Sequence, residues 1–377
     1  MFNDSRLRAA LRLFMHNISA STGSVIGVIA IVFLVGVQIA TLFGVIDITE
    51  NVIRHSGVDF WVVTKNTVNL DHSGDLPMNY VDRASGLEEV LFARPLVNAA
   101  GLMKDKTGRR ELSVMFGLKM PYLTGGPWIF YRGQPSDLLD PFATTIDDST
   151  LDYKYNPQIN QYIDIQNKKL RLTSITKHIR TFRGDVVFGS EYNAHSIQGN
   201  SQFFSNAVLV KLKKGVDRQA AKNKIIALFP FATVFDTEKL AESSTSYYLF
   251  STGVGGSLYL STTLAALIGI VIIALTLYNN ILTYDRDIAI LRALGARKID
   301  IFIIIFYQVL IMALIGSFIG FLLLALALNI IVETRVPVAL PIWFGPVHFL
   351  STLLLCLLGS IFAVRHALKI DPATVFR

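Results

Sequence analysis

Between Tyr284 and Phe302 the sequence YDRDIAILRALGARKIDIF gathers Asp285, Arg286, Asp287, Arg292, Arg297, Lys298 and Asp300 into one short, otherwise apolar stretch. So much charge in a short loop between apolar runs reads as a docking segment for another protein. Residues for bond chemistry are scattered. No two of His16, His55, His72, His178, His195, His348 and His366 have the spacing of a helical metal site. The chain has no Walker A motif and no Gly-x-Ser-x-Gly elbow. Gly253-Val-Gly-Gly256 lacks the Lys-Ser/Thr of a phosphate loop and reads as a hinge. No catalytic residue, bound cofactor or metal ligand is expected.

The elements that place this stretch are apolar. Of 377 residues, 52% are hydrophobic and 17% charged, with a mean hydropathy of +0.46, whereas a soluble chain is about a quarter charged. The runs Ser24–Val45, Ser257–Leu282, Ile301–Val332 and Ile342–Val364 each reach the roughly 20 residues that cross a bilayer. The first exceeds the core of a cleaved signal and reads as a retained span. The expected fold is a membrane protein of four transmembrane α-helices with a large α+β extracytoplasmic domain inserted between the first and second. Its parts are an interfacial helix at 1–20, spans at 21–46, 257–283, 301–332 and 342–364, and the domain at 47–256. A cytoplasmic coupling segment at 284–300, a short outer loop at 333–341 and a tail at 365–377 complete it.

Basic residues set the orientation. Arg6, Arg8 and Arg12 precede the first span, Arg286, Arg292, Arg297 and Lys298 follow the second, and Arg365, Lys369 and Arg377 follow the fourth; the short outer loop has Arg335. Both termini and the coupling segment are therefore expected in the cytoplasm. The domain at 47–256 holds 24 basic and 22 acidic residues. It is close to neutral, so the basic excess lies at the membrane fringe and no nucleic-acid partner is expected. Cys356 is the one cysteine, so the domain is held by its core without a disulfide.

Leu7, Ala10, Leu11, Phe14, Met15 and Ile18 fall on one stripe of a basic helix, as in helices that lie in the interface. Gly27, Gly36 and Gly44 would let the first span pack closely. In the domain, strands are expected at Phe60–Thr64, Glu111–Phe116, Leu170–Ile175, Asp185–Phe188 and Ala207–Leu212. Asp217 caps a helix that leads to a strand at Ala232–Phe235, while Pro135–Asn160 reads as a polar, turn-rich stretch. Glu238–Thr252 reads as a helix returning to the membrane, with Tyr247, Tyr248 and Tyr259 at headgroup level. Trp343 and Phe344 do the same at the fourth span.

The spans hold no charge of the kind that marks ion-coupled transport, and the chain has no nucleotide site of its own. Such a membrane part is driven by something else. Within the coupling segment Ile288, Leu291 and Leu294 share a helical face, Asp287 and Arg292 lie off it, and Gly295 ends the helix before another starts near Asp300. The candidate docking residues are Asp287, Leu291, Arg292, Leu294, Gly295, Ala296, Arg297 and Lys298. On the residues alone, docking of a motor and simple topology-setting both remain open.

Asp287-Ile-Ala-Ile-Leu-Arg-Ala-Leu-Gly-Ala296 resembles the E-x-x-x-L-R-A-x-G-A signature after the second span of MacB/LolC/FtsX-type, or type VII, ABC permeases. Asp371-Pro-Ala-Thr-Val-Phe376 resembles their terminal motif, and the span layout is similar. Gly57-Val-Asp-Phe, Arg110-Glu-Leu-Ser-Val-Met-Phe-Gly117 and Leu340-Pro look nearest to DevC-like members. The signature Glu is Asp287 here, and an acidic position early in the third span is Gln308. The resemblance implies a non-catalytic permease in the bacterial inner membrane, paired with a second permease copy, most simply as a homodimer. It also implies a cytoplasmic ABC ATPase that holds ATP and Mg and engages near Gly295–Ile299. Mechanotransmission to the periplasmic domain would then drive export of a lipid or other amphiphile through a periplasmic adaptor of the membrane-fusion class and an outer-membrane duct. The alternatives it carries are an FtsX-like signalling subunit activating a cell-wall hydrolase and a lipoprotein-releasing permease.

Overall fold

No proline falls inside the long apolar segments beyond a first turn, and their backbones close into uninterrupted helices. The computed structural model describes residues 2–16, 18–104, 108–150, 158–199, 202–283, 285–333 and 336–369. The chain opens with α1 (Phe2–His16) and α2 (Ile18–Arg54). The domain follows with β1 (Phe60–Thr64), β2 (Leu76–Pro77), α3 (Asn79–Ser85), β3 (Val90–Lys104), β4 (Arg110–Leu118), β5 (Phe130–Arg132) and β6 (Ala143–Asp147). It continues through β7 (Tyr162–Ile165), β8 (Lys168–Thr176), β9 (Arg180–Thr181), β10 (Gly184–Ser190), α4 (Glu191–Gln198), β11 (Phe204–Ser205) and β12 (Ala207–Leu212). Then come α5 (Arg218–Leu228), β13 (Ala232–Asp236) and α6 (Thr237–Ser246). The chain closes with α7 (Val254–Thr283), α8 (Asp285–Ala293), α9 (Lys298–Glu333) and α10 (Phe344–Ala367). Helices α2, α7, α9 and α10 are long and apolar enough to cross a membrane, and the α+β domain lies between the first and second of them in sequence. Contacts divide the chain into a spanning unit, residues 1–44 with 255–377, and a domain unit, residues 45–254.

The spanning unit packs through small residues, as helices in lipid do. Val28, Ile31 and Val32 of α2 share a core with Ile273 and Leu277 of α7, Ile305 and Val309 of α9 and Cys356 of α10. A Cβ on Gly316 or Gly320 of α9 would come within 2.6 or 2.7 Å of Val28 or Val32, so α9 approaches α2 through bare backbone. Gly36 and Gly44 act likewise from α2, the latter against the Pro337 carbonyl, 2.3 Å from where its Cβ would stand. Of the stripe on α1, Ala10 is buried and Phe14 packs against this core, while Leu7, Leu11 and Met15 stay exposed. Phe344 is buried against His348, whereas Trp343 is half-exposed and meets Phe43 edge-on.

In the domain unit one mixed sheet runs β13-β1-β12-β3-β4-β10-β6-β8-β5. β10 pairs β4 and β6 pairs β8 in parallel, and the other registers are antiparallel. Central strands are buried on both faces. Trp61 and Val63 of β1 enter one core with Val114, Phe116, Val186 and Phe188, and Phe60 and Val62 enter a second with Val208 and Ile225. The strand–helix–strand unit β12–α5–β13 forms, but β1 lies between its strands, paired Trp61↔Leu209 on one side and Trp61↔Phe235 on the other. Asp217 caps α5 by accepting the Gln219 and Ala220 amides.

Two expectations need correction. The polar stretch 135–160 contains β6, whose Thr144, Thr145 and Asp147 are fully buried. The Phe188 N–H donates to Thr145 Oγ1 and Thr144 Oγ1 donates to the Phe188 carbonyl, each at 3.0 Å, so a polar strand is satisfied inside the sheet. Tyr248 is 4% exposed, and its hydroxyl donates to Asp71 Oδ2 at 2.6 Å. It is a core residue of the domain, in a π-helical turn at Tyr247–Ser251, and not a headgroup anchor.

Candidate docking site on the spanning unit

The candidate site is the cap that joins α8 to α9. Ile288 and Ala289 of α8 are buried with Ile281 of α7 and Ile301 and Ile305 of α9, so one face of α8 is bound into the bundle. Leu291 is half-buried beside a small apolar cavity that Leu13, Ile304 and Gln308 also line. Gln308 is 7% exposed; among these aliphatic side chains an amide meets a smaller desolvation penalty than a carboxylate would. Asp287 and Arg292 are half-buried. The expected continuation of the second span through Tyr284 lies outside the described residues, as does the motif Asp371–Phe376.

The end of α8 is shaped by its hydrogen bonds. The Ala296 N–H reaches the Leu291 carbonyl and the Gly295 N–H reaches the Arg292 carbonyl, both at 3.0 Å. This pair is the Schellman arrangement, with Gly295 at C′ in the left-handed conformation, φ +97°. A side chain there would strain the backbone. At the start of α9, Asp300 Oδ2 accepts the Arg297 N–H at 2.9 Å, and Asp300 Oδ1 pairs with Arg6 Nη2 of α1 at 2.5 Å. The turn is fastened at both ends and to α1.

The turn changes the expected grouping of leucines. Leu294 does not stay on the face of Ile288 and Leu291, because the helix ends at Ala293 and the turn throws its side chain outward, 81% exposed. Ile299 is 54% exposed, with Arg297 and Lys298 exposed next to it in sequence; Arg286, at the start of α8, is exposed as well. Of the eight candidate residues, Leu294, Gly295, Arg297 and Lys298 form this outer surface, while Asp287, Leu291, Arg292 and Ala296 are half-buried behind it. The Arg6–Asp300 tie was not legible beforehand, since Arg6 on the wheel of α1 resembles any interfacial arginine.

Residues 259–372 match the family described as FtsX-like permease C-terminal. That stretch of the spanning unit is similar to an FtsX-like permease domain. The match takes in most of α7, all of α8, α9 and α10, and hence the whole Schellman turn. No curated protein matches the chain. Similar solved structures include the periplasmic region of MacB from Actinobacillus actinomycetemcomitans, 11% identical, covering 52% of this chain and 97% of that one with a TM-score of 0.40. The extracellular domain of the noncanonic ABC-type transporter YknZ from Gram-positive bacteria is 8% identical, over 47% of this chain and 98% of that one, TM-score 0.36. A domain of a permease protein from Porphyromonas gingivalis is 10% identical, over 47% and 84%, TM-score 0.33.

Proposed function

We propose that the chain is the permease subunit of an ABC exporter, driven by a separate cytoplasmic ATPase that docks on the turn Leu294–Ile299. The observation that carries this reading is Leu294, a leucine at 81% exposure on a turn that spends a glycine and a bonded aspartate to hold its shape. An apolar knob with Arg297 and Lys298 beside it fits an apolar groove with an acidic rim. ATP and Mg belong to the partner, and Asp287, Leu291, Arg292, Gly295 and Ala296 support the knob from behind. Closure of the ATPase would push the turn and, through α8 and the bundle, move the extracytoplasmic domain, in the type VII, DevC-like manner. The chain would work as a dimer in the inner membrane with both termini cytoplasmic. It would move a lipid or other amphiphile with a periplasmic adaptor and an outer-membrane duct.

The test is co-purification. Leu294→Asp and Arg292→Glu are expected to abolish recovery of the ATPase while the permease still reaches the membrane. Recovery equal to the unaltered chain would refute docking at the turn. Proteins recovered with the unaltered complex separate the functions: an adaptor marks export, a cell-wall hydrolase signalling and a lipoprotein carrier lipoprotein release.

A further inference from the structure

The domain unit contains a cavity of about 450 Å³ that the docking reading does not use. Its wall includes two carboxylates, Asp71 and Asp75, one guanidinium, Arg183, and the carboxamides of Asn98 and Asn206. These groups come from distant parts of the chain: the turn before β2, strand β3, the β9–β10 turn and the residue before β12.

Hydrogen bonds hold the wall in place. Asn206 Oδ1 accepts the Asn98 N–H at 2.7 Å, and Asn206 Nδ2 donates to Asp75 Oδ1 at 3.1 Å. Asp71 Oδ2 accepts from Tyr248, and Arg183 Nη1 donates to the Asp71 carbonyl at 2.6 Å. One oxygen of each carboxylate and the rest of the guanidinium take no further bond among the described residues. Among the described residues Arg183 makes no ion pair, although two carboxylates line the same cavity. Asn98 is 8% exposed, and among the described residues its Oδ1 has no hydrogen-bond partner; a buried amide oxygen in that state is a site a ligand donor can satisfy. Burial pushes the Asp71 carboxyl above its usual range, against the pull of the Tyr248 hydroxyl and Arg183.

Opposite charges that face one space without pairing define what would fill it. A simple cation leaves the guanidinium unanswered, and a simple anion meets two carboxylates. No three His, Cys, Asp or Glu among the described residues are placed to hold a metal ion. The volume lies within the range of small-molecule sites, and the polar wall disfavours an apolar ligand. We propose that this cavity binds a small zwitterion, its primary ammonium held by Asp71 and Asp75 and its acidic group by Arg183. Such a ligand is either a free amino acid or the phosphoethanolamine head of a lipid. The proposal stands apart from ATPase docking, because every residue in it belongs to the domain unit.

The experiment is calorimetric titration of the full chain in detergent with the twenty common amino acids, O-phosphoethanolamine and dihexanoyl phosphatidylethanolamine. Methylamine, acetate and phosphocholine serve as controls. Saturable binding of an amino acid alone identifies a free solute, and binding of the two phosphoethanolamine compounds alone identifies a lipid head; either supports the site. Binding should weaken by at least about tenfold in Asp75→Asn and in Arg183→Gln, with partial recovery in Arg183→Lys. Asp75 is exposed and its replacement isosteric, so that variant serves even if Arg183→Gln does not fold. The proposal is overturned if neither an amino acid nor a phosphoethanolamine compound binds, if methylamine, acetate or phosphocholine (whose quaternary ammonium donates no hydrogen bond) binds equally well, or if Asp75→Asn leaves the affinity unchanged.

Discussion

Arg6 of α1 and Asp300 of α9 form an ion pair at 2.5 Å, while the second carboxylate oxygen of Asp300 accepts the N–H of Arg297. One aspartate thus joins the N-terminal helix to the turn that carries Leu294. The pair is partly exposed, 26% and 22% for its two side chains, so its Coulomb share is small, and the cap contributes the larger part.

Replacing Asp300 by Ala should therefore lower the stability of the detergent-solubilised protein by about 1–2 kcal/mol, and Arg6→Ala by less than about 1 kcal/mol. A double-mutant cycle by chemical denaturation separates the two. An Arg6→Ala loss equal to that of Asp300→Ala would show that the pair dominates and the cap does not.

Gly295→Ala forces a Cβ into the left-handed region at φ +97°, a strain of about 1–2 kcal/mol. Among the described residues nothing beyond its chain neighbours lies within 4 Å of that Cβ, so the effect is backbone strain without a clash. Hydrogen exchange of the last turn of α8 should speed up in Gly295→Ala and much less in Gly295→Asn, which tolerates this conformation. Equal exchange in both variants would contradict the Schellman geometry.

Burial pushes the fully buried Asp147 carboxyl up to about 6, while Ser149 and the Ile179 N–H pull it back. A folded value above the unfolded one favours the folded state most below about pH 4, and that contribution is lost as pH rises to about 6. Asp147→Asn should remove this decline. Thermal melts of both proteins from pH 4 to 7 check it: the unaltered chain loses more midpoint across that window than the variant. Parallel curves would refute the linkage.

The purified chain should not hydrolyse ATP, because no Walker A motif is present in the sequence. Turnover above background in a preparation free of the partner would overturn the subunit reading; turnover is expected once the partner is added.

Local physics made part of this protein legible from its residues. An apolar run of sufficient length has one way to satisfy its backbone in lipid, so the four long helices follow from Ser24–Val45 and its three counterparts. Gly295 marks a helix end because only glycine enters the left-handed region freely, and Asp217 marks a start because its carboxylate reaches two orphan amides. The unit β12–α5–β13 was legible for the same reason.

What tertiary structure decided depends on partners far away in sequence. Strand β3 holds Pro95 and Gly101, which read as breakers, yet Leu96, Val97 and Ala99 are buried between β12 and β4. Strand β6 reads as a polar loop until Phe188 supplies its hydrogen bonds. β1 enters between β12 and β13, giving Phe60 and Val62 to one core and Trp61 and Val63 to the other. The outward turn of Leu294 and the hold of Arg6 on Asp300 belong to the same class. A residue's type states what contact it needs, and the fold decides which neighbour meets that need.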